Sequence, residues 1–118
     1  MINCISLFEV GGPMLGIRVT IVRYISHEPQ PRIVECKLED AHGRQLSFVE
    51  KTAIVSAEHL DANTSYPQRG VIAAEMLGRS VDATGRETIR VDTERPWHVE
   101  SGDGVTQFEV LAESLVEL

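Results

Sequence analysis

From Gly16 onward the apolar residues of this chain return at every second position, the spacing that puts them on one face of a strand. Ile17, Val19 and Ile21 alternate with Arg18, Thr20 and Val22, which predicts a strand reaching about Ile25. A second strand is predicted from Arg32 to about Glu39, with Val34, Cys36 and Leu38 inward and Glu35, Lys37 and Glu39 outward. Between them, Pro29 and Pro31 cannot both sit in a paired strand. Asp40-Ala41-His42-Gly43-Arg44 reads as a tight turn, with Gly43 supplying the positive φ that such turns need. The third strand then runs from Gln45 to Lys51 on the inward pair Leu46 and Phe48.

Beyond Lys51 the pattern weakens. Ala53 to Val55 could extend the third strand, and Ser56 to Leu60 could form one helical turn capped by Ser56. Residues 61–67 are a polar loop. Gly70 opens a strand from Val71 to Val81, a second turn spans Asp82 to Arg86, and a strand from Glu87 to Thr93 follows with Ile89 and Val91 inward. A loop at Arg95-Pro96-Trp97-His98 and a turn at Ser101 to Gly104 lead to a last strand, Val105 to Val110. Leu111, Leu115 and Leu118 are spaced four and three apart, which predicts a short C-terminal helix with one apolar face.

The motif Asp-Ala-x-Gly-Arg occurs twice, at 40–44 and 82–86. Aligning the two copies sets Leu38 against Ser80 and Glu39 against Val81, which reverses the inward phase. The turn is therefore one hairpin solution used twice, not the trace of a duplication. Sequential hairpins of this kind predict a mainly β fold: a small antiparallel barrel or sandwich of about six strands closed by that helix. Residues 16–118 form a single β domain, a size consistent with one hydrophobic core. Residues 1–15 are either a first strand or an N-terminal appendage, since Met14 could also be a translation start. They lack the basic n-region and cleavage pattern of a secretory signal. No stretch is apolar for long enough to span a bilayer as a helix, and the cytoplasm is the expected location.

The 118 residues carry a formal net charge of −7. Its distribution is uneven: residues 87–118 hold eight acids and only Arg90 and Arg95 as bases, while the preceding residues are nearly balanced. That acidity counts against nucleic acid as a partner, because binding there rests on neutralising phosphates. It suits a basic protein partner at the C-terminal surface. The bases of residues 16–51 (Arg18, Arg23, Arg32, Lys37, Arg44 and Lys51) are dispersed, and Phe48 and Phe108 read as core, so a single-strand-binding barrel is the weaker alternative.

Chemistry-bearing motifs are sparse. The histidines His27, His42, His59 and His98 show no metal-ligand spacing, and Glu58-His59-Leu60-Asp61 is a polar loop before it is a metal site. Cys4 and Cys36 are too few for a disulfide framework, and Cys36 alternates in phase with core residues. No nucleophile elbow or phosphate-cradling glycine loop occurs. No catalytic residue, cofactor or metal is expected, and the chain is read as a non-enzyme. Trp97 is the single tryptophan. It would plug one end of the barrel or, with Arg95, His98 and Tyr66, anchor a partner, with the plug favoured. A small-ligand or enzymatic site at the barrel mouth near His59 or Trp97 is a further alternative. An unpaired strand edge, such as that of the strand after Gly70, could also pair two copies of the chain.

The segments "VECKLEDAHGRQLSFVEK", "DATGRETIRVDTERPW" and "DGVTQFEVLAESL", between Val34 and Leu115, resemble a family of short bacterial proteins of β-rich build. The resemblance implies a bacterial cytoplasmic setting and a β fold. It carries no activity, and residues 1–13 fall outside it.

Overall fold

A computed structural model describes residues 13–26 and 32–118. Its strands are β1 (Met14–Ser26), β2 (Ile33–Glu39), β3 (Gln45–Lys51), β4 (Gln68–Val81), β5 (Glu87–Asp92), β6 (Gln107–Leu111) and β7 (Leu115–Val116), with one helical turn, α1 (Thr52–Val55), after β3. All seven strands belong to one antiparallel sheet in the order β3-β2-β1-β4-β5-β6, with β7 paired to β1. The sheet is curled into a half-barrel. Irregular register in β1 between Ile21 and Ser26, and in β4 between Met76 and Gly78, bends the strands as bulges do.

The concave face carries the inward set expected from the alternation. Ile17, Ile21, Val34, Cys36, Phe48, Ile72, Ile89, Val91 and Val110 are fully buried. Phe48 of β3 and Phe108 of β6 meet with ring centroids 6.3 Å apart and planes tilted by 46°. They fill the space between the two ends of the sheet. No ladder joins β3 to β6 among the described residues. Two backbone bonds span that side instead: Gly102 N–H to Ser47 O at 3.0 Å and Ala41 N–H to Glu109 O at 2.8 Å.

Three expectations change. The helical turn lies at Thr52–Val55, before Ser56 rather than after it, and Ser56 Oγ accepts the Glu58 N–H. The last full strand begins at Gln107, because Ser101 takes both polar groups of the Val105 backbone into a turn. The C-terminal helix is replaced by a single 3-10 turn, Ala112–Ser114, and by β7. Eight residues are too few to sustain an isolated helix, and β1 offers a vacant edge at Gly16 and Ile17 that Val116 and Leu115 fill. Gly16 makes this possible: a Cβ there would lie 2.7 Å from Val71 Cγ1 and 2.9 Å from Val116 Cγ2. Met14 and Leu15 also pair with β4, so the ordered strand starts before Gly16. Of the stretch 1–15 read as an appendage or first strand, residues 1–12 lie outside the described residues, as do the positions Cys4, His27, Pro29 and Pro31.

Candidate functional site

The loop after β5 is built around two buried residues. Thr93 and Val99 are both fully buried. The Val99 N–H donates to Thr93 O at 2.9 Å, and the Thr93 hydroxyl donates back to Val99 O. This pairing pinches off residues 94–98, and the His98 N–H closes on Glu94 O at 2.7 Å. His98 takes a positive φ of 53°, a conformation that is uncommon outside glycine and enriched for histidine.

Trp97 projects from this loop and is 58% exposed. The expected plug is thereby overturned: Phe48 and Phe108 fill the half-barrel, and the closed loop holds the indole outside it. Trp97 instead borders a groove of about 460 Å³ shared with α1, Arg69, Val71 and Ala73 of β4, and Leu118. Along this groove β4 is half-paired. Its residues Gln68–Glu75 face β1 on one side, but β5 covers the other side only from Glu75 onward. The groove thus crosses a stretch of β4 that has one ladder partner among the described residues and in which Gly70, Ile72, Ala73 and Ala74 are buried, with the exposed indole at its border.

Of the other residues singled out in sequence, Arg95 and His98 are exposed in the same loop as Trp97. Tyr66 is not an exposed anchor. It packs partly buried against the core, and its hydroxyl donates to Asp61 O at 2.9 Å. Ile54, Val71 and Ala73 gave no signal of a groove, because what matters is the mismatch in length between β4 and β5. Tertiary pairing sets that mismatch.

The charges around the groove are mixed with a slight acidic excess: Glu94, Glu100 and Glu117 stand against Arg69 and Arg95. Glu94 and Glu100 are exposed in the Trp97 loop, and Glu117 and Arg69 line the groove. Glu50, at the end of β3, has its carboxyl pushed above the usual range. Burial is the main cause and Glu100 adds repulsion, while the Lys51 N–H and the charges of Lys51 and His98 pull the other way. Two acids elsewhere in the C-terminal quarter are already engaged: Glu87 lies 2.6 Å from Arg79, and Glu109 lies 2.7 Å from His42 Nε2.

Cys36 is fully buried, and burial, with Glu50 and Glu35 adding to it, pushes its thiol up to about 12. It therefore stays protonated at neutral pH, unlike a nucleophilic thiol. Asp61 spends its carboxylate on the Asn63 N–H and the Thr64 hydroxyl, with His59 at 3.2 Å, while Glu58 takes no part. Among the described residues no three His, Cys, Asp or Glu side chains are gathered as metal ligands, and no helix is long and apolar enough to cross a membrane. Comparison with family models, curated proteins and solved structures finds no match to this chain.

Proposed function

We propose that this chain is a non-catalytic protein-binding module that takes an extended, basic segment of a partner protein along the half-paired stretch of β4, beside Trp97. The observation that carries this reading is the exposed indole bordering a groove over the stretch of β4 that lacks a second ladder partner among the described residues. Such a groove offers an extended segment the side chains of Val71 and Ala73, and an aromatic anchor supplies affinity at low entropic cost. Glu94, Glu100 and Glu117 favour a partner with Lys or Arg in its extended segment. The buried free thiol of Cys36 accords with a reducing cytoplasmic setting, and a bacterial one belongs to the same reading.

The test uses Trp97 as its own reporter, since it is the single tryptophan. A peptide of alternating Lys and Val should shift its emission to the blue, weaken with added salt, and slow amide exchange at Val71 and Ala73. A matched peptide of alternating Glu and Val should do neither. Equal responses to the two peptides, or a response to a thymidine oligonucleotide alone, would overturn the reading. So would concentration-dependent dimerisation that buries Trp97 without peptide, because the groove would then belong to a second copy.

A further inference from the structure

On the other side of β4 the sheet has a second irregularity. Along one edge β1 pairs with β7 at Gly16 and Ile17 and with β2 only from Thr20 onward, leaving a step at Arg18 and Val19. A cleft of about 800 Å³ opens over this step. Its outer wall is basic, although the chain as a whole is acidic. Thr20 stands directly opposite Lys37 of β2 and Arg69 of β4, and Arg18 lies two residues along β1 on the same exposed face. Strands are about 4.8 Å apart, so Lys37 and Arg69 start about 10 Å from each other and can converge above the small Thr20 side chain.

These cations are not consumed by the fold. Among the described residues Lys37 and Arg69 form no ion pair within 4.0 Å, and Arg18 donates one bond, from Nη1 to Glu113 O at 2.7 Å. That bond ties the guanidinium to the 3-10 turn and fixes it at the rim. Glu39 borders the cleft as an opposing charge.

We infer that this cleft binds the phosphate group of a small molecule. An arginine held by one bond, a second arginine, a lysine and a hydroxyl form a donor set matched to a tetrahedral anion with several acceptor oxygens. The cleft is larger than a bare phosphate, and Val19, Leu38, Val71 and Val116 give the remainder of a ligand an apolar surface. No aromatic residue lines it, so it lacks the stacking platform that single-stranded nucleic acid requires.

The experiment follows backbone amides of Thr20, Lys37 and Arg69 by NMR during titration with inorganic phosphate and with glycerol phosphate, against chloride at matched ionic strength. Saturable shifts confined to these residues are expected. A stronger response to glycerol phosphate identifies a phosphorylated small molecule as the occupant, and equal responses identify the free ion. Lys37→Gln and Arg69→Gln should each weaken binding about tenfold, the loss of one charge-assisted hydrogen bond, while Glu39→Gln should tighten it. All three positions are exposed, and retained amide dispersion checks the fold of each variant. Failure to saturate, an equal response to acetate, indifference to the three substitutions, or tighter binding of a thymidine oligonucleotide would overturn the assignment. Arg69 and Val71 also border the groove beside Trp97, so Lys37→Gln and Glu39→Gln, which lie outside that groove, are the substitutions that separate the two sites.

Discussion

The turns at 40–44 and 82–86 share four of five residues and the same backbone. In each, the aspartate N–H donates to the arginine carbonyl at 2.9 Å, the glycine N–H returns to the aspartate carbonyl, and glycine holds a positive φ, 82° at Gly43 and 89° at Gly85. In each, one carboxylate oxygen accepts two backbone N–H groups while the other meets the arginine Nε. The surroundings differ. The Asp40 side chain is fully buried, and its turn is bonded to β6 through Ala41 and lies against Glu109 through His42. Asp82 is in a turn that extends from the sheet, and it accepts an additional bond from the Thr84 hydroxyl at 2.7 Å. One local solution thus serves as a joint between sheet ends in the first case and as a simple reversal in the second.

The sharpest way to break the equivalence is to remove each carboxylate. Asp40→Ala should cost about 2 kcal/mol, because it strips buried bonds from a turn on which β6 rests. Asp82→Ala should cost clearly less. Equilibrium urea denaturation of the two variants measures the contrast, and equal losses would mean that docking on β6 adds nothing. The backbone predicts the opposite pattern. Gly43→Ala and Gly85→Ala should each cost about 1 kcal/mol, nearly alike, since neither new methyl meets a close neighbour and both pay only for a left-handed conformation. A marked difference between those two would place the asymmetry in the backbone rather than in the side chains.

The smallest effect is expected with pH. The Thr84 hydroxyl above all, then the Arg86 N–H, lowers the Asp82 carboxyl to about 2. For Asp40, burial pushes upward, but the Arg44 backbone and side chain and the His42 N–H outweigh it, and the net shift is also downward. A carboxyl depressed in the folded state stabilises above its ordinary value and loses that contribution as pH falls through its folded value. The Asp82 share should therefore fade from about pH 3.8 down to about 2, and a carboxyl NMR titration of both residues reads it directly. An Asp82 midpoint at its ordinary value would remove the hydroxyl bond from the account.

Both turns were legible because a five-residue motif with glycine at its fourth position determines its own backbone. The strands were legible for a similar reason: alternation such as Val34-Cys36-Leu38 is itself the burial pattern. What sequence could not supply were features created by unequal partners. Leu111, Leu115 and Leu118 have helical spacing, yet the vacancy beside Gly16 draws the chain into β7. Trp97 reads from sequence as a plug at one end of the barrel, but buried Thr93 and Val99 clamp its loop outward. Arg18, Lys37 and Arg69 look scattered along the chain and meet only through strand register. Some acids of residues 87–118, such as Glu87 and Glu109, are likewise taken up by internal pairs, while Glu117 lines the groove.

The shared edge of β1 also dictates an order of events. Ile17 pairs with Leu115 across nearly the whole described chain, whereas β2 and β3 pair through a five-residue turn. Closing so long a loop is entropically the most expensive contact in the sheet and returns only a two-residue ladder. The hairpins can therefore assemble early, while the step in β1 is sealed last. Until residues 115 and 116 arrive, the first strand keeps an open edge at Gly16, which makes this the interval when the chain is most exposed to pairing with a neighbour.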